Sequence, residues 1–148
     1  MKNIIFVCHG NICRSVAAEF LMKHLLEKYQ MSDRFNVVSR ATSLEEIGND
    51  IYPPMKRCLD HHNIPYEKHA AQRITQKDYD WADYIFYMDS LNKSYLDRLL
   101  VDTQKKIKPI SCFTSHIGII DDPWYSGEYD IVINQLNDCI EDIINNLK

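Results

Sequence analysis

The stretch Ile4-Ile5-Phe6-Val7-Cys8-His9-Gly10-Asn11-Ile12-Cys13-Arg14-Ser15 decides the fold of this chain. Its first four residues form an unbroken apolar run, the composition of a strand buried on both faces. Behind it, Val16 to Tyr29 reads as a helix, with Ala18, Leu21, Met22, Leu25 and Tyr29 at helical spacing and Glu19, Lys23, Glu27 and Lys28 largely opposite. A cysteine therefore ends a strand, and six residues later an arginine opens a helix. The loop between them holds a glycine and an asparagine, the residues that most readily accept positive φ. Such a loop can curl until successive N–H groups point inward as an anion-binding nest. The helix start adds unpaired N–H groups and the positive end of its dipole. The reading is a cradle for a phosphate-sized dianion, lined by His9, Gly10, Asn11, Ile12, Cys13 and Ser15. Cys8 faces the anion, and the Arg14 guanidinium can grip two of its oxygens.

The rest of the chain alternates in the same way. A second strand is expected at Phe35–Ser39, then a loop from Thr42 to Pro54 punctuated by Gly48, Asn49 and two prolines. Short helices follow at Met55–His62 and after the capping-box pattern Thr75-Gln76-Lys77-Asp78. Tyr84–Met88 reads as a third strand, and Leu91–Val101 as a helix burying Leu91, Tyr95, Leu99 and Leu100. Ile107–Phe113 reads as a fourth strand weakened by Pro109. A final helix carries the stripe Val132, Leu136, Ile140, Ile143 and Leu147. The expectation is one α/β domain over residues 1–148, a three-layer sandwich around a parallel sheet of about four strands. Ligands of such sheets bind beyond the carboxyl ends of the strands, where Cys8, Asp89 and the loop through Asp122 all fall.

Val7-Cys8-x-Gly10-Asn11-Ile12-Cys13-Arg14-Ser15 resembles the signature of the low-molecular-weight protein tyrosine phosphatases. Asp122-Pro123-Trp124 completes the match, and the likeness runs through Ala41-Thr42-Ser43, Ile74-Thr75 and Tyr84–Asp89. The family usually has Pro-Met where this chain has Val16-Ala17. The resemblance implies hydrolysis of phosphotyrosine and other aryl phosphate monoesters through a phosphocysteine on Cys8. It makes Asp122 the general acid that protonates the leaving oxygen and then the base that activates water. The following proline restrains Asp122 to extended backbone, a restraint Asp121 lacks.

Each remaining site residue has its own expected role. Ser15 stabilises the thiolate or caps the helix, and Asn11 locks the loop, in part through Ser39. His9 lies at the variable loop position, its side chain outward. Trp124 and Tyr125 wall a pocket deep enough for an aromatic ester, opposite Leu44 and Glu45, where many family members carry an aromatic residue. Cys13 is the candidate redox partner of Cys8: a sulfenic acid formed on one thiol can be captured by its neighbour.

Composition narrows the class further. A net charge of −4 argues against a nucleic-acid surface, and no apolar run approaches a membrane span. The five cysteines are scattered and odd in number, unlike a secreted disulfide framework, and the N-terminus lacks a signal-peptide pattern. The expectation is a cytoplasmic monomer that needs no cofactor or metal and releases inorganic phosphate. His61, His62 and His69 read as helix-end and loop residues, without a third metal ligand at useful spacing. Two other readings share the Cys-x5-Arg loop. An arsenate reductase-like redox enzyme needs two further cysteines close together, whereas Cys58, Cys112 and Cys139 are far apart. A phosphocysteine carrier would not hydrolyse its adduct and would have no use for Asp122.

Overall fold

An apolar run such as Ile4–Val7 offers no polar face to water, so its strand belongs in the middle of a sheet. In the computed structural model, which describes residues 1–148, all four of those side chains are fully buried. Strand β1 (Lys2–Cys8) lies between β2 (Phe35–Ala41) and β3 (Tyr84–Tyr87), with β4 (Ile107–Pro109) outside β3. The order is β2-β1-β3-β4 and every pairing is parallel. Parallel neighbours require crossovers, and α1 (Arg14–Lys28) supplies the one between β1 and β2.

The strand pleat divides the core into two layers. Ile4, Phe6 and Cys8 pack into the larger cluster, with α1, α2 (Pro53–His61) and the long C-terminal helix. Ile5 and Val7 point the other way, into a cluster with Tyr79 of α3 (Gln76–Trp81) and Leu96 of α4 (Ser90–Leu99). A single turn, α5 (Pro123–Ser126), precedes the C-terminal helix α6 (Tyr129–Leu147), whose expected stripe is buried throughout. No helix is long and apolar enough to cross a membrane. The strand order steps outward in opposite directions from β1 and β3. The crevice at their carboxyl ends is therefore the switch point where α/β sheets bind ligands.

Three local expectations need correction. Strand β4 stops at Pro109 instead of reaching Phe113: Cys112 N–H and Thr114 N–H bond back to the carbonyls of Pro109 and Ser111, and tight turns replace the ladder. Helix α4 buries only part of the expected stripe: Leu100 is in the core and Leu99 packs against it, but Leu91 and Tyr95 do not. Asp89 caps the helix in a capping box with Asn92, whose Oδ1 also accepts from the Met88 and Asp89 amides. That box turns Asn92 and Leu96 inward and leaves Leu91 67% and Tyr95 37% exposed. On α1, Glu19 is buried rather than on the outer face, for a reason that belongs to the site.

The phase of α4 is testable by paired truncations. Leu96→Ala removes a fully buried side chain and is expected to cost about 2–5 kcal/mol. Leu91→Ala, at an exposed position, should stay within about 0.5 kcal/mol. Urea unfolding of both variants checks this; equal losses would place Leu91 in the core.

Candidate active site

The loop after β1 is held from outside by its carbonyls. Cys8 O accepts from Thr42 N–H, His9 O from both the amide and the hydroxyl of Ser43, and Ile12 O from Tyr52 N–H. Asn11 O lies 2.6 Å from His69 Nε2, so that nitrogen carries the donated hydrogen. A peptide's N–H points opposite to its carbonyl. With these carbonyls anchored outward, the following amides face the concavity, and those of Gly10, Ile12 and Cys13 have no acceptor within the protein. Asn11 alone takes the left-handed conformation, at φ 59°. Gly10 does not, so its service is space rather than freedom of φ: a Cβ there would lie 3.2 Å from Glu46 Cγ.

Beneath the loop runs a chain of hydrogen bonds that diverges from Asn11. The Glu19 carboxylate, paired with Lys23 at 2.7 Å, accepts the Ser39 hydroxyl at 2.6 Å. Ser39 Oγ accepts from Asn11 Nδ2 at 2.9 Å, and the same amide group donates to Ser15 Oγ at 2.8 Å. Ser15 Oγ lies 3.0 Å from Cys8 Sγ, and with its lone pair engaged by Asn11 its proton is free to point at a thiolate. The Ser15 amide, at the start of α1, adds a second donor 3.4 Å from the sulfur. Helix α1 has no side-chain cap, so Ser15 serves the sulfur rather than the helix end. The side chains of Asn11, Ser15 and Ser39 are all buried below the loop, and none is among the residues that line the pocket.

Arg14 closes the cradle. It is 2% exposed, and its Nη1 donates at 2.7 Å to both Asp89 Oδ2 and the Ile120 carbonyl. Burial works against its charge, but the Cys8 sulfur, Asp89 and Asp122 outweigh burial and hold the guanidinium above its ordinary, already high value. Asp122 Oδ2 lies 3.7 Å from Arg14 Nη2, while Oδ1 accepts from Trp124 N–H. The proline after Asp122 leaves it extended, at φ −78° and ψ 112°, as the sequence predicts. The neighbouring Cys13 thiol is pushed up by burial and by the charges of Cys8 and Asp122, so it stays protonated.

These parts open into a pocket of about 280 Å³ lined by Cys8, His9, Gly10, Ile12, Cys13, Arg14, Glu45, Glu46, Asp122, Trp124 and Tyr125. The Trp124 ring leans on Tyr52, with centroids 4.6 Å apart. His9 bonds Glu45 at 3.0 Å across the rim, so its side chain lines the mouth instead of pointing away. Leu44 does not line the pocket and is 62% exposed; Glu46 stands in its place. Asp121 is exposed and does not line the pocket.

With this geometry in view, the comparisons with known proteins agree. The profile of the low molecular weight phosphotyrosine protein phosphatases matches residues 3–148. This chain belongs to that family. It is 40% identical over 136 residues to the low molecular weight phosphotyrosine protein phosphatase of Homo sapiens, covering 87% of this chain and 84% of that one. To the Rattus norvegicus protein of the same name it is 35% identical over 147 residues, 93% of this chain and 90% of that one. Among solved structures, the low molecular weight protein tyrosine phosphatase SP-PTP of Streptococcus pyogenes superposes with a TM-score of 0.87 at 33% identity, covering 100% and 94% of the two chains.

Three residues of this phosphatase-family site, Glu19, Glu46 and His69, were given no part in it by the sequence, and a fourth, Asp89, was placed on its edge without a role. Glu19 and His69 support Asn11 from opposite sides, Asp89 pins Arg14, and Glu46 lines the rim. Asp89 had the clearest signal, an acid at the end of β3 on the correct sheet edge. Glu19 ends the buried chain, so Glu19→Leu leaves the Ser39 hydroxyl without its acceptor. The expected cost is about 1–3 kcal/mol of stability with weakened phosphate binding, and Glu19→Gln, which keeps an acceptor, should recover most of both. Thermal unfolding with and without phosphate measures the two effects. A Gln variant as impaired as Leu would mean that the chain does not run through Glu19.

Proposed function

We propose that this protein is a protein tyrosine phosphatase that hydrolyses phosphotyrosine and related aryl phosphate monoesters through a phosphocysteine on Cys8. The observation that supports it most is the lining of one pocket by a cysteine with two donors aimed at its sulfur, a pinned arginine and a proline-restrained acid. The inward amides and Arg14 bind the phosphoryl oxygens. The Cys8 thiolate attacks phosphorus, an S–P bond forms, and the P–O bond to the phenol breaks as Asp122 gives its proton to the departing oxygen. The charge spread over the equatorial oxygens in this step matches the planar guanidinium and the fixed N–H groups. Asp122, now ionised, takes a proton from water, which attacks phosphorus. Phosphate leaves, and the restored thiolate is met by Ser15. No step uses a metal or cofactor, and the setting is cytoplasmic.

Trp124 and Tyr125 set the depth of the pocket, so an aryl ester reaches the cradle where the shorter phosphoserine does not. Under peroxide, Cys13 is the thiol available to condense with a Cys8 sulfenic acid, losing water and forming a disulfide. Glu45 and Glu46 make the rim acidic, which favours phosphopeptides with lysine or arginine beside the phosphotyrosine.

Turnover of p-nitrophenyl phosphate in EDTA tests the assignment. Cys8→Ser should retain less than about one hundredth of kcat while still binding vanadate. Asp122→Asn should lose roughly 10²–10⁴ in kcat, and Asp121→Asn far less. Equal losses at the two aspartates would reverse the choice of acid. For the rim, Glu45→Gln and Glu46→Gln should each reduce the preference for Lys-flanked over Glu-flanked phosphopeptides by roughly two- to five-fold, the worth of an exposed ion pair. An unchanged kcat/KM ratio would remove the rim from substrate selection.

A further inference from the structure

Away from the phosphate pocket, ligand-type side chains converge at one other place. Cys58 lies in the last turns of α2, and His62 follows four residues later at its C-cap, so both fall on one face. Asp130, in the first turn of α6, reaches that face from the far end of the chain. His62 Nε2 is 2.8 Å from Asp130 Oδ1, and the Cys58 thiol donates to the same oxygen at 3.6 Å. The three ligand atoms lie within 4.8 Å of one another. No step of the proposed hydrolysis uses any of them, and linear spacing hid the group because the third member is on another helix.

We propose that Cys58, His62 and Asp130 form a binding site for a divalent cation of the zinc class, joining the end of α2 to the start of α6. One thiolate, one imidazole nitrogen and one carboxylate oxygen suit zinc or cobalt rather than magnesium or calcium, which prefer all-oxygen shells. Tetrahedral zinc, with bonds of about 2.3 Å to sulfur and about 2.0–2.1 Å to nitrogen and oxygen, sets donor separations of roughly 3.3–3.5 Å. The Cys58–Asp130 separation of 3.6 Å is already close to this, and the 2.8 Å between His62 and Asp130 would widen by about 0.5 Å. Thiolate and carboxylate together cancel the double charge, which matters because Arg57 lines the adjoining cleft. Cys58 and Asp130 both line that cleft beside His61 and Glu128, and water from it would complete the four-coordinate shell. Asp130 is mostly exposed, so the ion has an entry path. On binding, the Cys58 S–H bond breaks, its proton passes to solvent and a sulfur–metal bond forms, with no change of oxidation state.

The test is cobalt titration of a Cys8→Ser/Cys13→Ala host, which removes the thiols of the phosphate pocket as competing ligands. The expected result is one equivalent bound, with a thiolate-to-cobalt charge-transfer band that zinc abolishes by displacement. Cys58→Ala should eliminate the band, and His62→Ala and Asp130→Asn should each weaken binding at least ten-fold. Asp130→Asn alters an exposed carboxylate, so it reports on the site even if a Cys58 variant fails to fold; circular dichroism in EDTA checks each variant. Cobalt bound without the band, or with equal affinity in the host and Asp130→Asn, would overturn the proposal.

Discussion

A thiolate in a buried pocket survives only if donors aimed at it are themselves held still. Here that requirement is met by a chain of hydrogen bonds that links the Cys8 sulfur through Ser15, Asn11 and Ser39 to Glu19 and diverges from the Asn11 amide. Its polarity follows from Asn11: the Gln72 N–H donates to Asn11 Oδ1 at 3.2 Å, which turns the NH2 group toward both serines. Ser39, receiving from Asn11, gives its own proton to the Glu19 carboxylate, and Ser15, receiving from the same group, has its proton left for the sulfur. Glu19, paired with Lys23 near the surface, therefore holds Asn11 through Ser39, and Asn11 in turn orients Ser15.

The same economy governs the loop. A nest of inward amides requires outward carbonyls, and each of those needs a partner, since an unpaired buried carbonyl costs as much as a lost hydrogen bond. The partners come from three separate segments, Thr42–Ser43, Tyr52 and His69. The shape of the loop therefore depends on β2 beside β1 and on the chain to α2 and beyond that packs against it. The long stretch from Thr42 to Ile74, which has little regular structure apart from α2, is the outer wall of the phosphate cradle.

This explains what could and could not be read in the sequence. The first strand, the loop and helices α1 and α6 carried local signals: an apolar run, turn residues, helical periodicity. Cys8, Arg14 and Asp122 were legible because their chemistry is tied to the end of a strand, the start of a helix and a following proline. Glu19 was placed outside because a helical wheel counts polarity and cannot see a buried acceptor shared with Ser39. His69 and Asp89 matter through partners 58 and 75 residues away, beyond the reach of any local pattern. Leu91 lies outside the core for a subtler reason: the capping box of Asp89 and Asn92 sets the phase of α4, and apolar spacing alone does not reveal it.

Asp89 also bears on how Arg14 and Asp122 share the pocket. A guanidinium has five N–H donors in a rigid fork. Asp89 and the Ile120 carbonyl engage Nη1, which fixes the plane of the fork and leaves the remaining donors to the pocket. Asp122 Oδ2 stands 3.7 Å from Nη2, so the acid and the phosphate-binding cation face the same space. A phosphoryl group gripped by the fork is thereby set beside Asp122, and Asp89, by pinning the fork, keeps that alignment from being lost to a swinging side chain.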